Sequence, residues 1–168
     1  MTHVIAGLGL LVSLMLQLGV VSRVPLLSGT ADLILLLLAA WGLQERVKNA
    51  WLWTIIAGII ISIISAMPFY IPLIAYLAVT GISKLFQRRV WQTPILVMFL
   101  VTFVGTLCQQ VLYILSLQVI GTPISWSESL NLVTLPSLLL NMLLAIPIYA
   151  IVNDITGRIY SSGLDNGY

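Results

Sequence analysis

The sequence predicts an all-α integral membrane protein, six transmembrane helices in one bundle with both chain ends in the cytosol. Three observations carry that prediction. The 168 residues are 60% hydrophobic and 7% charged, with a mean hydropathy of +1.11. A soluble domain needs roughly a quarter of its residues charged to hydrate its surface. The apolar residues fall into six blocks, each close to the roughly 20 residues that cross about 30 Å of hydrocarbon. Finally, the basic residues alternate between the intervening connections as the positive-inside rule requires. A soluble enzyme, a nucleic-acid binder and a disordered chain are excluded by the same composition. A net charge of +2 is no nucleic-acid footprint.

The first block, residues 4–21, has no basic segment ahead of it and no clear small-residue cleavage site, so it reads as a retained span. The second, 26–43, is the weakest, because its uninterrupted apolar run from Leu33 to Leu43 is too short to cross alone. Ser28, Gly29 and Thr30 read as its helix start, which places Asp32 in the first turn, favoured by the positive helix end, at the interface and within reach of Arg23. A proton-relay or ion-coordinating role is the alternative for Asp32. The third and fourth blocks, 51–67 and 69–86, are separated by Pro68, which with Pro72 predicts a tight hairpin turn. The fifth block is 94–120. The sixth, 130–152, carries Pro136 and Pro147, each of which frees a carbonyl four residues back that a neighbour must satisfy. Residues 153–168 read as a short polar cytoplasmic tail, and 1–152 as a single transmembrane domain.

Of the seven Lys and Arg residues, only Arg23 falls on the outer side in this topology. Arg46 and Lys48 form one cytoplasmic basic patch, Lys84, Arg88 and Arg89 a second, and Arg158 follows the last span. These patches set topology and attract lipid headgroups, or dock a partner's acidic segment. Trp41, Trp51, Trp53, Trp91 and Trp126 lie near span ends, as interface aromatics do.

Polar residues inside the spans recur every three or four positions and so share a helix face. Examples are Gly9, Ser13 and Gln17; Thr54, Gly58, Ser62 and Ser65; Pro72, Tyr76, Thr80 and Ser83; Thr102, Thr106, Gln109, Tyr113 and Ser116; and Thr134, Ser137 and Asn141. Helix packing through small residues and interhelical hydrogen bonds explains them, and a polar cavity for a small substrate is the sharper alternative. The neighbours of Gln17, Gln109, Gln110 and Asn141 decide between the two. A partner helix is expected against the small-residue face of Thr54, Gly58 and Ser62.

Catalysis has no foundation here. The acids Asp32, Glu45, Glu128, Asp154 and Asp165 are scattered, His3 sits at the N-terminus, and Cys108 reads as inert packing. No Ser-His-acid arrangement, zinc signature or phosphate loop is present, so no enzyme activity, cofactor or metal is expected.

Two stretches carry a family resemblance. The run from Ala31 and Asp32 through the leucines to Trp41, Gly42 and Leu43, and the later Pro136…Asn141…Pro147-Ile148-Tyr149, resemble the MreD family of bacterial rod-shape-determining proteins. Residues 51–67, with their central Gly58, match that family's bulky aliphatic span. The resemblance covers most of the chain, from residue 31 to about 160. Ala31 stands where the family usually has Pro, and Ser62 follows Gly58 where the family commonly has an acid. The resemblance implies a fold similar to the substrate-binding subunits of energy-coupling-factor transporters. It also implies a non-catalytic scaffold in the bacterial inner membrane for lateral peptidoglycan synthesis. Its partners would be the bitopic protein MreC and, through it, the MreB filament, RodA and a penicillin-binding transpeptidase. The alternative function is the substrate-binding membrane subunit of a vitamin-type transporter. An enzyme acting on lipid would need a polar catalytic cluster that the sequence lacks. Asp32, Gly58, Ser62, Gln109, Pro136 and Asn141 are the candidate packing or partner contacts.

Overall fold

The computed structural model describes residues 2–19, 28–45, 47–65, 67–89, 93–121 and 125–162. The chain is all-helical: α1 (Thr2–Gly19), α2 (Leu33–Leu43), α3 (Ala50–Ile64), α4 (Tyr70–Phe86), α5 (Pro94–Val119), α6 (Trp126–Ser129) and α7 (Leu135–Ser162). A short 3-10 turn, Gln87–Arg89, extends α4, and a π-helical turn, Leu130–Thr134, joins α6 to α7 in one continuous rod. Two rods, Pro94–Val119 and Trp126–Arg158, are long and apolar enough to cross a membrane.

The eleven-residue helix α2 is the centre of the molecule. α2 packs against α1, α3, α4, α5 and α7, and all of its residues except Leu37 are buried. A helix that is apolar all round belongs in the middle of a bundle, which is what the unbroken leucine run encodes. Trp41, expected at an interface, is instead buried in this core, because it lies on the central helix. Trp51 and Trp126 are exposed, Trp53 is half-buried, and Trp91 lies outside the described residues.

α2 is preceded by non-helical chain, which corrects the expected continuous span over 26–43. Ser28 lies in a turn, residues 29–32 are non-helical, and Asp32, itself extended, is the N-cap, its side chain accepting from Leu35 N–H.

α3 and α4 form the hairpin that Pro68 predicts, with Ile71 N–H bonded to the Pro68 carbonyl at 2.9 Å. Pro72 sits in the first turn of α4, where its missing N–H costs no bond. The helices approach closely because Gly58 lies against Leu73: a Cβ on Gly58 would come within 2.6 Å of Leu73 Cδ1 and 3.1 Å of its Cα. Beside it, Thr54 and Thr80 share a buried hydroxyl hydrogen bond at 2.6 Å. α4 therefore occupies the face of Thr54, Gly58 and Ser62 that the sequence offers to a partner helix.

α7 runs ten residues beyond the expected end of the last span, to Ser162. Thr156 turns its hydroxyl back to the Val152 carbonyl at 2.9 Å, and Asp154 pairs with Arg158 at 3.0 Å one turn on. An exposed i,i+4 pair of this kind adds only a few tenths of a kcal/mol.

Candidate polar cavity

The broken second span is held by a bonding pattern that begins with a proline. Pro136 has no N–H to give to the carbonyl of Leu132, four residues back. The π-helical turn forms there, and Leu135 N–H reaches the Leu130 carbonyl instead. The Leu132 carbonyl is taken by Ser28 N–H at 3.1 Å. Two further bonds follow along the extended segment: Thr30 N–H donates to Ser137 Oγ at 3.1 Å, and Asp32 N–H to Asn141 Oδ1 at 2.7 Å. In extended chain the N–H groups of alternate residues point the same way, so 28, 30 and 32 all address the rod that contains α7. The opposite edge belongs to α1. Gln17 donates its Nε2 to the Ala31 carbonyl at 2.9 Å and accepts Leu33 N–H on Oε1 at 2.8 Å. Ser137 and Asn141 lie four apart on one face of α7, which is why both reach the same strand-like segment. Gly29 is pressed into this seam, where a Cβ would lie 2.6 Å from Ser137 N and 2.7 Å from the Val133 carbonyl oxygen.

Asp32 stands at the junction. Its Oδ1 accepts from Leu35 N–H at 2.9 Å; its Oδ2 accepts from Tyr76 Oη at 3.0 Å and from Gln109 Nε2 at 2.6 Å. Gln109 Nε2 also lies 3.3 Å from Tyr113 Oη, and Asn141 Nδ2 donates to Thr106 Oγ1 at 3.0 Å. The network thus ties α2, α4, α5 and α7 together. The expected pairing of Asp32 with Arg23 lies outside the described residues; half-buried Asp32 is bonded instead to α2, α4 and α5.

Next to this network is a cavity of about 300 Å³ lined by Gln17, Thr30, Asp32, Tyr76, Gln109, Gln110, Tyr113 and Asn141, with Ile61, Ile64 and Ser65 of the α3 end. All four amides that the sequence singled out line it. A second chamber of about 280 Å³ shares Gln110 and Tyr113 with the first and reaches Ser28, Met67 and Glu128. Those three residues lie beside the connections at one end of the bundle. Lys48, Lys84 and Arg88 lie at the other end. Lys84, half-buried at the end of α4, donates its Nζ to the Val47 carbonyl at 2.9 Å and so closes the α2–α3 connection over α4. Lys48 and Arg88 are exposed there. Arg46 and the Arg89 side chain lie outside what the structure describes.

The remaining polar stripes are packing. Thr54, Ser62, Thr80, Ser83, Thr102, Thr106 and Ser116 are buried between helices. Among the described residues no three His, Cys, Asp or Glu side chains gather as metal ligands would. Sequence reasoning named most of the cavity's polar lining, but missed Thr30 and did not bring Tyr76 and Tyr113 to Asp32. A helix-face pattern is legible within one helix only, and Thr30 belongs to no helix.

Comparison of the chain with protein-family models, with curated proteins and with solved structures finds no match.

Proposed function

We propose that this chain is a non-catalytic, multi-pass scaffold of the bacterial cytoplasmic membrane, of the MreD type, acting in the rod-shape machinery for lateral cell-wall synthesis. The observation that carries the reading is where the resemblance residues sit. The Asp32-to-Leu43 run and the Pro136-to-Tyr149 stretch are a hundred residues apart in sequence, yet they meet at the Asp32–Asn141 bond, and the Ser28–Leu132 bond joins the residues just ahead of each. The two motifs are one structural device, in which a proline-disrupted helix receives a broken span. A family defined by that device would retain both halves together.

The bilayer location is supported by the surface. Val119 is 84% exposed, and Ile63 and Leu143 are each 72% exposed, among many other exposed Leu, Ile and Val side chains on α1, α3, α5 and α7. A water-facing surface of that kind would aggregate. Non-helical backbone is tolerated at bilayer depth where it is buried in protein or lines a cavity; in 28–32, Gly29 and Ala31 are buried and Thr30 and Asp32 line the cavity. Both chain ends and the Lys48, Lys84 and Arg88 end face the cytosol by the positive-inside rule. In this reading the partners are an MreC-like bitopic protein and, through it, the MreB filament, RodA and a penicillin-binding transpeptidase. Since α4 fills the Thr54/Gly58/Ser62 face, partner helices meet the outer apolar faces.

The cavity favours a second reading, the substrate-binding membrane subunit of a small-molecule transporter. It opens toward the non-cytoplasmic end, and its lining is polar in an otherwise apolar bundle. Purification of the tagged full chain from its own membranes separates the two. The scaffold reading expects an MreC-like bitopic protein in the eluate. Recovery of cytoplasmic ATPase subunits in its place would overturn that reading and support the transporter.

A further inference from the structure

Among the described residues the cavity is lined by one acidic side chain and no basic one. Asp32 is the only Asp, Glu, Lys, Arg or His among the residues that line the inner chamber. Leu35 N–H and Gln109 Nε2 donate to the Asp32 side chain, and the Tyr76 hydroxyl lies within hydrogen-bond distance of Oδ2, so both carboxyl oxygens have acceptor roles. A carboxylate at bilayer depth is costly and normally faces a cation or a wet cavity. Three donors and the N-terminal end of α2 offset part of that cost. The cavity also holds unused hydrogen-bonding groups. Gln109 is only 3% exposed, and its Nε2 serves Asp32 and Tyr113, while no donor among the described residues reaches its Oε1. Among the described residues, half-buried Gln110 forms no hydrogen bond with either end of its amide, and the Tyr113 hydroxyl has a proton left to donate.

These groups have an order. The acceptors, Asp32 and Gln109 Oε1, lie in the inner chamber. Gln110 and Tyr113, which can donate, stand on the wall shared with the outer chamber. We propose that the cavity binds a primary ammonium group, seated on Asp32 and Gln109, whose neighbouring hydroxyl or phosphoester oxygen is held by Gln110 and Tyr113. An ammonium has three donors and no acceptor, which matches the acceptors Asp32 and Gln109 Oε1. The same chemistry is supplied by a free amino alcohol entering from outside the cell or by the headgroup of an ethanolamine lipid in the outer leaflet. The inference goes beyond the scaffold reading and does not depend on it.

The test uses the full chain in nanodiscs of phosphatidylglycerol, titrated calorimetrically with ethanolammonium chloride and, separately, with ethylene glycol. Saturable binding of ethanolammonium without binding of ethylene glycol is expected. Gln110→Leu removes no bond that holds the fold together, and it should weaken binding roughly tenfold, as loss of a hydrogen bond does. Asp32→Asn, where it folds, should abolish the preference for the ammonium probe. Adding phosphatidylethanolamine to the discs identifies the source: competition with the probe points to the lipid headgroup, and an unchanged isotherm points to a free amine. No saturable heat, equal binding of the two probes, or a Gln110→Leu isotherm identical to the parent would overturn the proposal.

Discussion

Asn141 is the residue on which most depends. It accepts from the backbone of the broken span and donates to α5, so Asn141→Leu leaves Asp32 N–H without its partner inside the bundle. The expected loss is about 1–3 kcal/mol, the cost of an orphaned buried donor. Ser137→Ala removes a single bond to Thr30 N–H and should cost about 1 kcal/mol. Unfolding in mixed detergent micelles would rank the two, and equal losses would remove Asn141 from its special position. Gly29 and Gly58 make a second pair. A methyl on Gly29 meets backbone atoms of the α7 rod, which cannot step aside, whereas on Gly58 its nearest neighbour is the end of the flexible Leu73 side chain. Gly29→Ala should therefore lower the unfolding midpoint more than Gly58→Ala, and the reverse order would contradict the seam geometry. Much of this was legible residue by residue. Asn141, Gln109 and Gln17 stand out because amides are rare in apolar helices, and Pro136 announces a freed carbonyl. The recipient of that carbonyl, Ser28, was not legible, since nothing local to Ser28 points toward α7.

Among the elements, the α3–α4 hairpin and the broken second span behave differently under the same sequence rules. In the hairpin, spacing of three and four put Thr54, Gly58 and Ser62 on one face and Tyr76, Thr80 and Ser83 on another; the structure joins them at Thr54 and Thr80, while Tyr76 reaches Asp32 and Ser83 packs against Gly42 of α2. A double-mutant cycle of Thr54→Val and Thr80→Val should return a coupling of about 0.6–1.7 kcal/mol, the range for hydrogen bonds between helices in apolar surroundings. A coupling indistinguishable from zero would mean the hydroxyls merely coexist. In the second span the helix rules mislead. Eleven apolar residues are too few for a helical crossing, and the remedy, extended chain satisfied by Gln17 and the α7 rod, depends on partners far away in sequence. At the other end, Asn153 and Asp154 read as the start of a tail because they are polar. The helix continues regardless, since polarity ends a buried face without ending a helix.

At the scale of the whole molecule, opposite ends of the bundle differ in kind. One end holds the chambers and Glu128; the other holds Lys48, Lys84 and Arg88. The central claim is that this polarity is oriented across a bilayer, with the chambers facing out. Single cysteines in a Cys108→Ser background test it in spheroplasts with a membrane-impermeant thiol reagent. Gln110→Cys should react in intact spheroplasts, Lys48→Cys only after permeabilisation, and Leu36→Cys, on the fully buried central helix, in neither case. Labelling of Lys48→Cys from outside, with Gln110→Cys protected until lysis, would contradict the account.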